Sequence, residues 1–240
     1  MSSDRRELMT TTEIPSQTSN GHKVAVEKTE TAPTEVPTSL SANPALLGYP
    51  AFAIGALSLA LFLTGFNQTT IPSTLAGGLP IMIVASGLLL IVASIWAIKR
   101  NDGVQAAIFG LFGAFWLSFT VLIVGLLDNW FGKLPEPAQR GANANFLLVW
   151  FVLMLAMTFA TLRLPKAITL LFVLVDFSLI TLFSAVSIAR PGAGGDPFIL
   201  HPGIAALFIM PFLGLYLFMS ATNAALGGKS FPMGKPFIKR

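Results

Sequence analysis

Six long apolar runs, separated by short breaks, occupy most of the sequence between residues 43 and 226. A helix needs about 20 apolar residues to cross the hydrocarbon of a bilayer, and each run has about that length. A water-soluble bundle of such helices would have almost no polar face for solvent. The sequence therefore predicts an all-α integral membrane protein with six transmembrane helices, over Leu46–Phe66, Leu75–Ile98, Val104–Leu127, Phe146–Leu164, Lys166–Ala189 and Leu200–Leu226.

The breaks between these runs contain turn residues, as in Asn101-Asp102-Gly103 and around Pro165. Such short loops require sequential helices to run antiparallel. Most of the 15 Lys and Arg residues lie in the two terminal segments and in the loops after the second and fourth spans. Because loops rich in Lys and Arg stay in the cytoplasm, we expect both termini to be cytoplasmic.

The two ends of the chain differ from the apolar middle. Residues 1–42 are rich in Ser, Thr, Glu and Pro, and have too little apolar surface to offset the entropy of ordering. We expect a disordered cytoplasmic tail there. The tail has no apolar h-region after its basic residues, so we do not expect a cleavable signal peptide. Residues 227–240 are expected to form a basic cytoplasmic C-terminal tail.

Composition argues against several classes of function. The chain has no cysteine and only two histidines, which excludes thiol nucleophiles, disulfides and a His-rich metal centre, so no metal or cofactor is expected. Its cations lie outside the apolar runs, which argues against a nucleic-acid partner. We find no nucleophile and base pair and no phosphate-binding loop, so we do not expect an enzyme.

A helix start marks the boundary between the polar tail and the apolar region. Asn43 can cap the helix, and Pro44 suits its first position because its missing N–H would have no partner there. Gly48 leaves room for a close neighbour. Taken alone, these residues indicate only an ordinary helix start.

Four stretches together resemble the acetate uptake transporter family, the succinate–acetate permeases. Asn43-Pro44-Ala45-Leu46-Leu47-Gly48 resembles the Asn-Pro-Ala-Pro-Leu-Gly signature that opens the family's first helix. Phe112-Gly113-Ala114-Phe115-Trp116-Leu117-Ser118 resembles the Tyr-Gly-x-Phe-Trp-Leu-Ser/Thr motif of the third helix. Trp150 with Thr161-Leu162-Arg163, and His201 with Tyr216-Leu217, resemble features of the fourth and sixth helices.

This resemblance implies a permease or channel for acetate and related small monocarboxylates, with succinate as a further substrate and protons as a partner if transport is coupled. It also implies a homo-hexamer with a pore in each protomer, in a bacterial inner membrane or a plasma membrane. The polar groups that the family places along the second helix are replaced here by Ala85-Ser86-Gly87-Leu88-Leu89-Leu90. Two alternatives therefore stay open: a non-transporting membrane scaffold or sensor, and a transporter of another small solute such as ammonium.

The resemblance also implies a hydrophobic constriction formed by one residue from each of three helices. The corresponding positions are Phe52, Phe112 and, in an approximate register, Val175. A ring of apolar side chains can gate a pore by excluding water. The alternative is that these side chains only fill contacts between helices.

Asp176 is the one acid deep in a predicted span. A carboxylate there costs on the order of 3 kcal/mol on insertion scales, so it needs a cavity, a partner or a proton. No Lys or Arg lies at a comparable depth to pair with it. Two interpretations follow: a group beside the pore that titrates or contacts substrate, or a neutral acid hydrogen-bonded between helices with Ser or Thr.

Other polar residues are weaker candidates. Thr181 and Ser184 form a mildly polar stripe that lines a pore or donates to carbonyls of its own helix. Tyr216 and Asn223 are further candidates for pore lining, with helix capping as the alternative for Asn223. Arg163 and Lys166 are expected to meet lipid phosphates, with attraction of anions as the alternative.

Overall fold

The computed structural model describes residues 43–64, 77–188 and 196–238, and these ranges contain helices and no β-strand. Within them, six helices are long and apolar enough to cross a membrane, which confirms the predicted fold class. The tail predicted to be disordered lies outside the described residues. The helices are α1 (Ala45–Thr64), α2 (Gly77–Lys99), α3 (Gly103–Leu127), α4 (Glu136–Thr161), α5 (Lys166–Ile188) and α6 (Pro197–Ala225).

Helix α4 begins at Glu136, well before its predicted start at Phe146. The prediction placed the start too late because it followed hydropathy, and the first turns of α4 are polar. Pro135 and Pro137 favour a helix start here, since a proline in the first turn loses no intrahelical bond. The 26 residues of α4 span about 39 Å, against about 30 Å of hydrocarbon. The polar turns therefore extend beyond the apolar layer, which is why hydropathy missed them.

Helix α6 also begins earlier than predicted, at Pro197 instead of Leu200. The Asp196 carboxylate accepts a hydrogen bond from Phe198 N at 3.0 Å and caps this end.

The helices pack as a bundle in which α1 lies against α6 and α2, α3 lies against α2, and α5 lies between α4 and α6. Close approach of α2 and α3 depends on Gly113. A Cβ at this position would lie 3.0 Å from the Gly87 carbonyl oxygen, which belongs to backbone and cannot move aside. Small residues hold helices together in lipid because they permit such close contact.

Part of α2 departs from α-helical geometry. Ile81–Leu88 forms π-helical turns, a conformation that is rare and frequent near functional sites. Ser86 lies in this stretch, fully buried beside Gly55 of α1. No feature of the sequence predicted the π turns.

Candidate functional site

Two cavities in the described part of the bundle stand out, and the larger of them has a volume of about 610 Å³. It reaches the bundle end where α1 and α5 finish, since Thr64 and Val186 line it together with Asn143 near the start of α4. Most of its lining is apolar. The aromatic lining residues are Phe52, Phe62, Phe112, Phe115, Trp116, Phe119 and Phe146.

The smaller cavity, of about 210 Å³, lies toward the opposite end of the bundle. Its lining includes Tyr49 near the start of α1, Asp102 before α3, Leu164 after α4 and Leu217 late in α6. Asp102 also caps α3, because its Oδ1 accepts a hydrogen bond from Gln105 N at 2.9 Å.

Phe52 and Phe112 line both cavities and therefore lie between them. Both side chains are buried, and their ring centroids are 4.6 Å apart with an interplanar angle of 58°. Tilted contacts at this distance are favourable for aromatic pairs. We call this pair the aromatic wall.

Helix α5 contributes one residue to each side of the aromatic wall. Val175 lines the larger cavity, whereas Phe172 lines the smaller one. The Phe172 ring centroid lies 5.3 Å from that of Phe112. The three residues expected at a constriction are thus brought together, and Phe172 joins them. Sequence reasoning missed Phe172, although its spacing of three residues from Val175 places both on one face of a helix.

A glycine of α6 packs against the Phe52 side of the aromatic wall. A Cβ at Gly214 of α6 would lie 3.4 Å from Phe52 Cδ1 and 3.2 Å from Ala53 Cβ. The position of the Phe52 ring therefore depends on close packing of α1 with α6.

Polar groups are sparse along the larger cavity. Its polar lining residues are Thr64, Asn143 and Ser178, together with the indole of Trp116. Ser178 Oγ donates to the Gly203 carbonyl oxygen at 3.2 Å. No Lys, Arg or His appears in the described lining of either cavity. In the described ranges, no three His, Asp or Glu side chains lie together as a metal site would require.

Asp176 lines neither cavity, although it follows Val175 directly. Its side chain lies against α4, where Thr158 Oγ1 is 2.6 Å from Asp176 Oδ2. Both residues are buried, with Asp176 only 7% exposed. This is the geometry of an acid held between helices by a hydroxyl group.

Thr181 and Ser184 also lie outside the two linings. Thr181 Oγ1 donates to the Phe177 carbonyl oxygen, and Ser184 Oγ donates to that of Ile180, each at 2.7 Å. Serine and threonine in apolar helices commonly make such bonds within their own helix.

Tyr216 and Asn223 contact a C-terminal segment instead of a cavity. Tyr216 Oη donates to the Pro232 carbonyl oxygen, and Asn223 Nδ2 donates to that of Lys229, each at 2.7 Å. Residues 228–238 thus fold back over the bundle end, and we call them the C-terminal strap. The sequence had indicated only a basic tail here, because the strap is short and has no periodic pattern.

The start of α1 has the contacts of a tightly packed helix cap. Asn43 Oδ1 accepts a hydrogen bond from Ala45 N at 3.0 Å. Pro44, which lies between these two residues in the sequence, is buried at the first turn of the helix. A Cβ at Gly48 would overlap the ring of Phe109, so α1 approaches α3 closely here. The described linings of the two cavities contain none of these three residues, whereas the adjacent Tyr49 lines the smaller cavity.

Spanning helices that enclose two cavities, one toward each end and divided by an apolar wall, are the architecture of a membrane channel or carrier. The sequence agrees with this class. The profile of the GPR1/FUN34/yaaH family matches residues 27–231, and the chain belongs to that family. It is a multi-pass integral membrane protein.

Individual relatives and one solved structure resemble the chain. It is 30% identical to "Ammonia transport outward protein 2" of Saccharomyces cerevisiae, over 82% of this chain and 66% of the relative. It is 28% identical to "Acetate permease A" of Emericella nidulans, over 78% of this chain and 61% of the relative. The bacterial acetate channel SatP has a similar structure, with a TM-score of 0.63, 25% identity, and coverage of 80% of this chain and 99% of SatP.

The matches to these two curated relatives stop just short of two thirds of their length. A third, "Accumulation of dyads protein 2" of S. cerevisiae, is matched over 50% of its length at 29% identity. These matches thus leave a substantial part of each relative unmatched.

Proposed function

We propose that this protein transports acetate and related small monocarboxylates through the two cavities, and that the aromatic wall is the gate between them. The observation that carries the proposal is that Phe52 and Phe112 line both cavities. A solute that moves from one cavity to the other passes these two rings. The similarity to an acetate permease and to an acetate channel supports the choice of substrate.

The charge of the lining supports passage of the substrate together with a proton. No cation lines the described part of either cavity, so no opposite charge there offsets the cost of an anion in an apolar surrounding. A neutral carboxylic acid avoids most of this cost and presents its methyl group to the phenyl rings. We therefore infer that the monocarboxylate crosses the aromatic wall in its protonated form. Succinate, with two carboxyl groups, would need two protons and should cross more slowly.

We further propose that both termini are cytoplasmic and that the protein is a homo-hexamer with one pathway in each protomer. The distribution of Lys and Arg among the loops supports the orientation. The smaller cavity would then face the cytoplasm. Chemical crosslinking in membranes, with the largest product at six subunits, tests the assembly.

The transport proposal is tested in liposomes that contain purified protein and a pH-sensitive dye. External acetate should acidify the lumen faster than in protein-free liposomes, because each neutral molecule that enters releases its proton inside. The protein-free control removes the contribution of acid that crosses the lipid unaided. An acidification rate equal to that of the control would contradict acetate transport, and would favour the scaffold or sensor.

Ammonia transport is a second candidate, because a relative at 30% identity carries that name. A neutral ammonia molecule would also meet no charge at the aromatic wall. The same liposomes separate the two, since entry of ammonia makes the lumen alkaline whereas entry of acetic acid makes it acidic. A response to ammonium chloride without a response to acetate would replace the first proposal with the second.

A further inference from the structure

The C-terminal strap is hydrogen-bonded to the turn between α4 and α5 as well as to α6. The Leu162 carbonyl oxygen accepts hydrogen bonds from Phe237 N and Ile238 N, both at 3.1 Å. Ala167 N donates to the Met233 carbonyl oxygen at 3.0 Å. These bonds satisfy backbone groups that helix ends otherwise leave without partners. The strap is therefore a fixed part of this bundle end.

The length of the helices places this turn among lipid headgroups. Helices α4 and α5 contain 26 and 23 residues, which correspond to about 39 and 35 Å. The polar first turns of α4, at the opposite bundle end, account for the excess length of that helix. Helix α5 also exceeds the hydrocarbon thickness of about 30 Å and begins at the charged Lys166, so its start at the turn extends into the polar layer of the bilayer. The strap, which is bonded to the turn, lies in the same layer.

The turn and the strap carry three exposed cations: Arg163, Lys166 and Lys235. Gly234 holds Lys235 beside Lys166, because it has a φ of 75° and its position for a Cβ lies 2.9 Å from Lys166 Cβ. The bond to Leu162 brings the end of the strap next to Arg163. Neither the turn, residues 162–166, nor the segment 227–240 contains an Asp or Glu.

An exposed aromatic side chain accompanies these cations. Phe237 is 60% exposed although it lies outside the spanning helices. The Lys166 Nζ atom is 4.9 Å from its ring centroid, a favourable cation–π distance. A basic cluster beside an exposed aromatic ring, at headgroup depth, suits the boundary between lipid phosphates and acyl chains.

We propose that the C-terminal strap and the α4–α5 turn form a binding site for the headgroup of an anionic phospholipid. Arg163, Lys166 and Lys235 contact the phosphate and the anionic headgroup, and Phe237 enters the upper part of the acyl chains. The strap thereby fixes this end of the bundle to one leaflet. An acidic protein segment would satisfy the same charges, but it would leave Phe237 exposed at the depth of the lipid.

The proposal is tested by thermal unfolding of the full-length protein in a neutral detergent, with added phosphatidylglycerol or phosphatidylcholine. Phosphatidylglycerol should raise the Tm of the wild type well above the value with phosphatidylcholine, and 0.5 M salt should reduce the difference because it screens the charges. A Lys166→Gln and Lys235→Gln double variant should lose most of the difference. Lys133→Gln, which removes an exposed cation at the opposite bundle end, should keep it.

Equal Tm values with the two lipids, or a double variant that keeps the full difference, would overturn the proposal. Native mass spectrometry of the same proteins provides a readout that does not depend on stability: phosphatidylglycerol should remain bound to the wild type and to Lys133→Gln but not to the double variant. Stabilisation by an acidic peptide without stabilisation by phosphatidylglycerol would identify a protein partner instead. Neither measurement contains a transport substrate, so the outcome is independent of the proposed function.

Discussion

Thr158 Oγ1 lies 2.6 Å from Asp176 Oδ2 and 3.0 Å from the Met154 carbonyl oxygen. A hydroxyl group has one proton and cannot donate it to both acceptors. A protonated Asp176 satisfies all three groups, because its own O–H donates to Thr158 while Thr158 donates to Met154. The other carboxyl oxygen, Asp176 Oδ1, is buried with no partner among the described residues, which also favours the neutral form.

Thr158→Val should weaken the contact between α4 and α5. Hydrogen bonds between transmembrane helices average about 0.6 kcal/mol and reach about 1.7 kcal/mol, and we expect a loss near the upper value because the acid is left buried. Unfolding of the purified protein in mixed micelles measures this loss. Thr181→Val is the matched control, since Thr181 donates only within its own helix. A Thr158→Val variant as stable as this control would contradict the interhelical bond.

Asp176→Asn should preserve both stability and the pH dependence of acetate transport. The amide of Asn can donate to Thr158 as the neutral acid does, and Asp176 lines neither cavity. Initial rates in proteoliposomes at several external pH values provide the measurement. A variant that transports acetate at a rate independent of pH would instead assign the proton-carrying role to Asp176.

Gly113→Ala should destabilise the protein by about 1–3 kcal/mol, as overpacking does in other cores. The added Cβ would lie 3.0 Å from the Gly87 carbonyl oxygen and 2.9 Å from Ile91 Cδ1, so α2 and α3 would have to move apart. Gly141→Ala in α4 is the control, because a Cβ there meets no atom within 4 Å. Alanine favours helix by about 1 kcal/mol over glycine, so the control should be equally or more stable. Equal stability of both variants would show that α2 and α3 tolerate the separation.

Tyr216→Phe should loosen the C-terminal strap without changing transport. The substitution removes the hydrogen bond to the Pro232 carbonyl oxygen, which is worth about 1 kcal/mol. Trypsin should therefore cleave after Lys229 about fivefold faster, if cleavage follows the population of the open strap. Reduced acetate flux with unchanged proteolysis would indicate that Tyr216 acts in the pathway and not on the strap.

Phe172→Ala should increase leakage through the protein, because Phe172 supports Phe112 from the side of the smaller cavity. Phe177→Ala is a control on the same helix, since Phe177 is exposed on the outer face of the bundle. Efflux of a trapped small neutral solute from proteoliposomes reports leakage. Equal efflux from the two variants would exclude Phe172 from the gate.

Much of the fold could be predicted from the sequence because length and hydropathy determine the number of spans. The residues of each span that face the interior of the bundle could not be predicted, since a helix that is apolar on all sides gives no sign of which face is inward. Phe52 and Phe112 were found through the family resemblance, whereas Phe172 stands in an ordinary apolar run. Asp176 was recognised as unusual, but its partner Thr158 comes from another helix and no sequence pattern connects them.

The contacts of Tyr216 and Asn223 show a second reason why parts of the structure could not be predicted from the sequence. Both were candidates for pore lining, with helix capping as the alternative for Asn223. Their partners are backbone carbonyls of the C-terminal strap, a segment without the periodicity that identifies a structural element. Hydropathy indicates which residues lie in the hydrocarbon layer and does not indicate where a helix begins. The polar first turns of α4 were therefore not predicted.

The aromatic wall is tested most directly by acetate uptake into dye-filled liposomes with the Phe52→Ala and Phe112→Ala double variant. Lowering the barrier at the wall by about 1.4 kcal/mol would raise the flux about tenfold, and we predict an increase of this order with weaker discrimination against succinate. Phe159→Ala, which truncates a side chain 65% exposed on the outer surface, should match the wild type. A folded double variant with the flux and selectivity of the wild type would contradict a gate at Phe52 and Phe112.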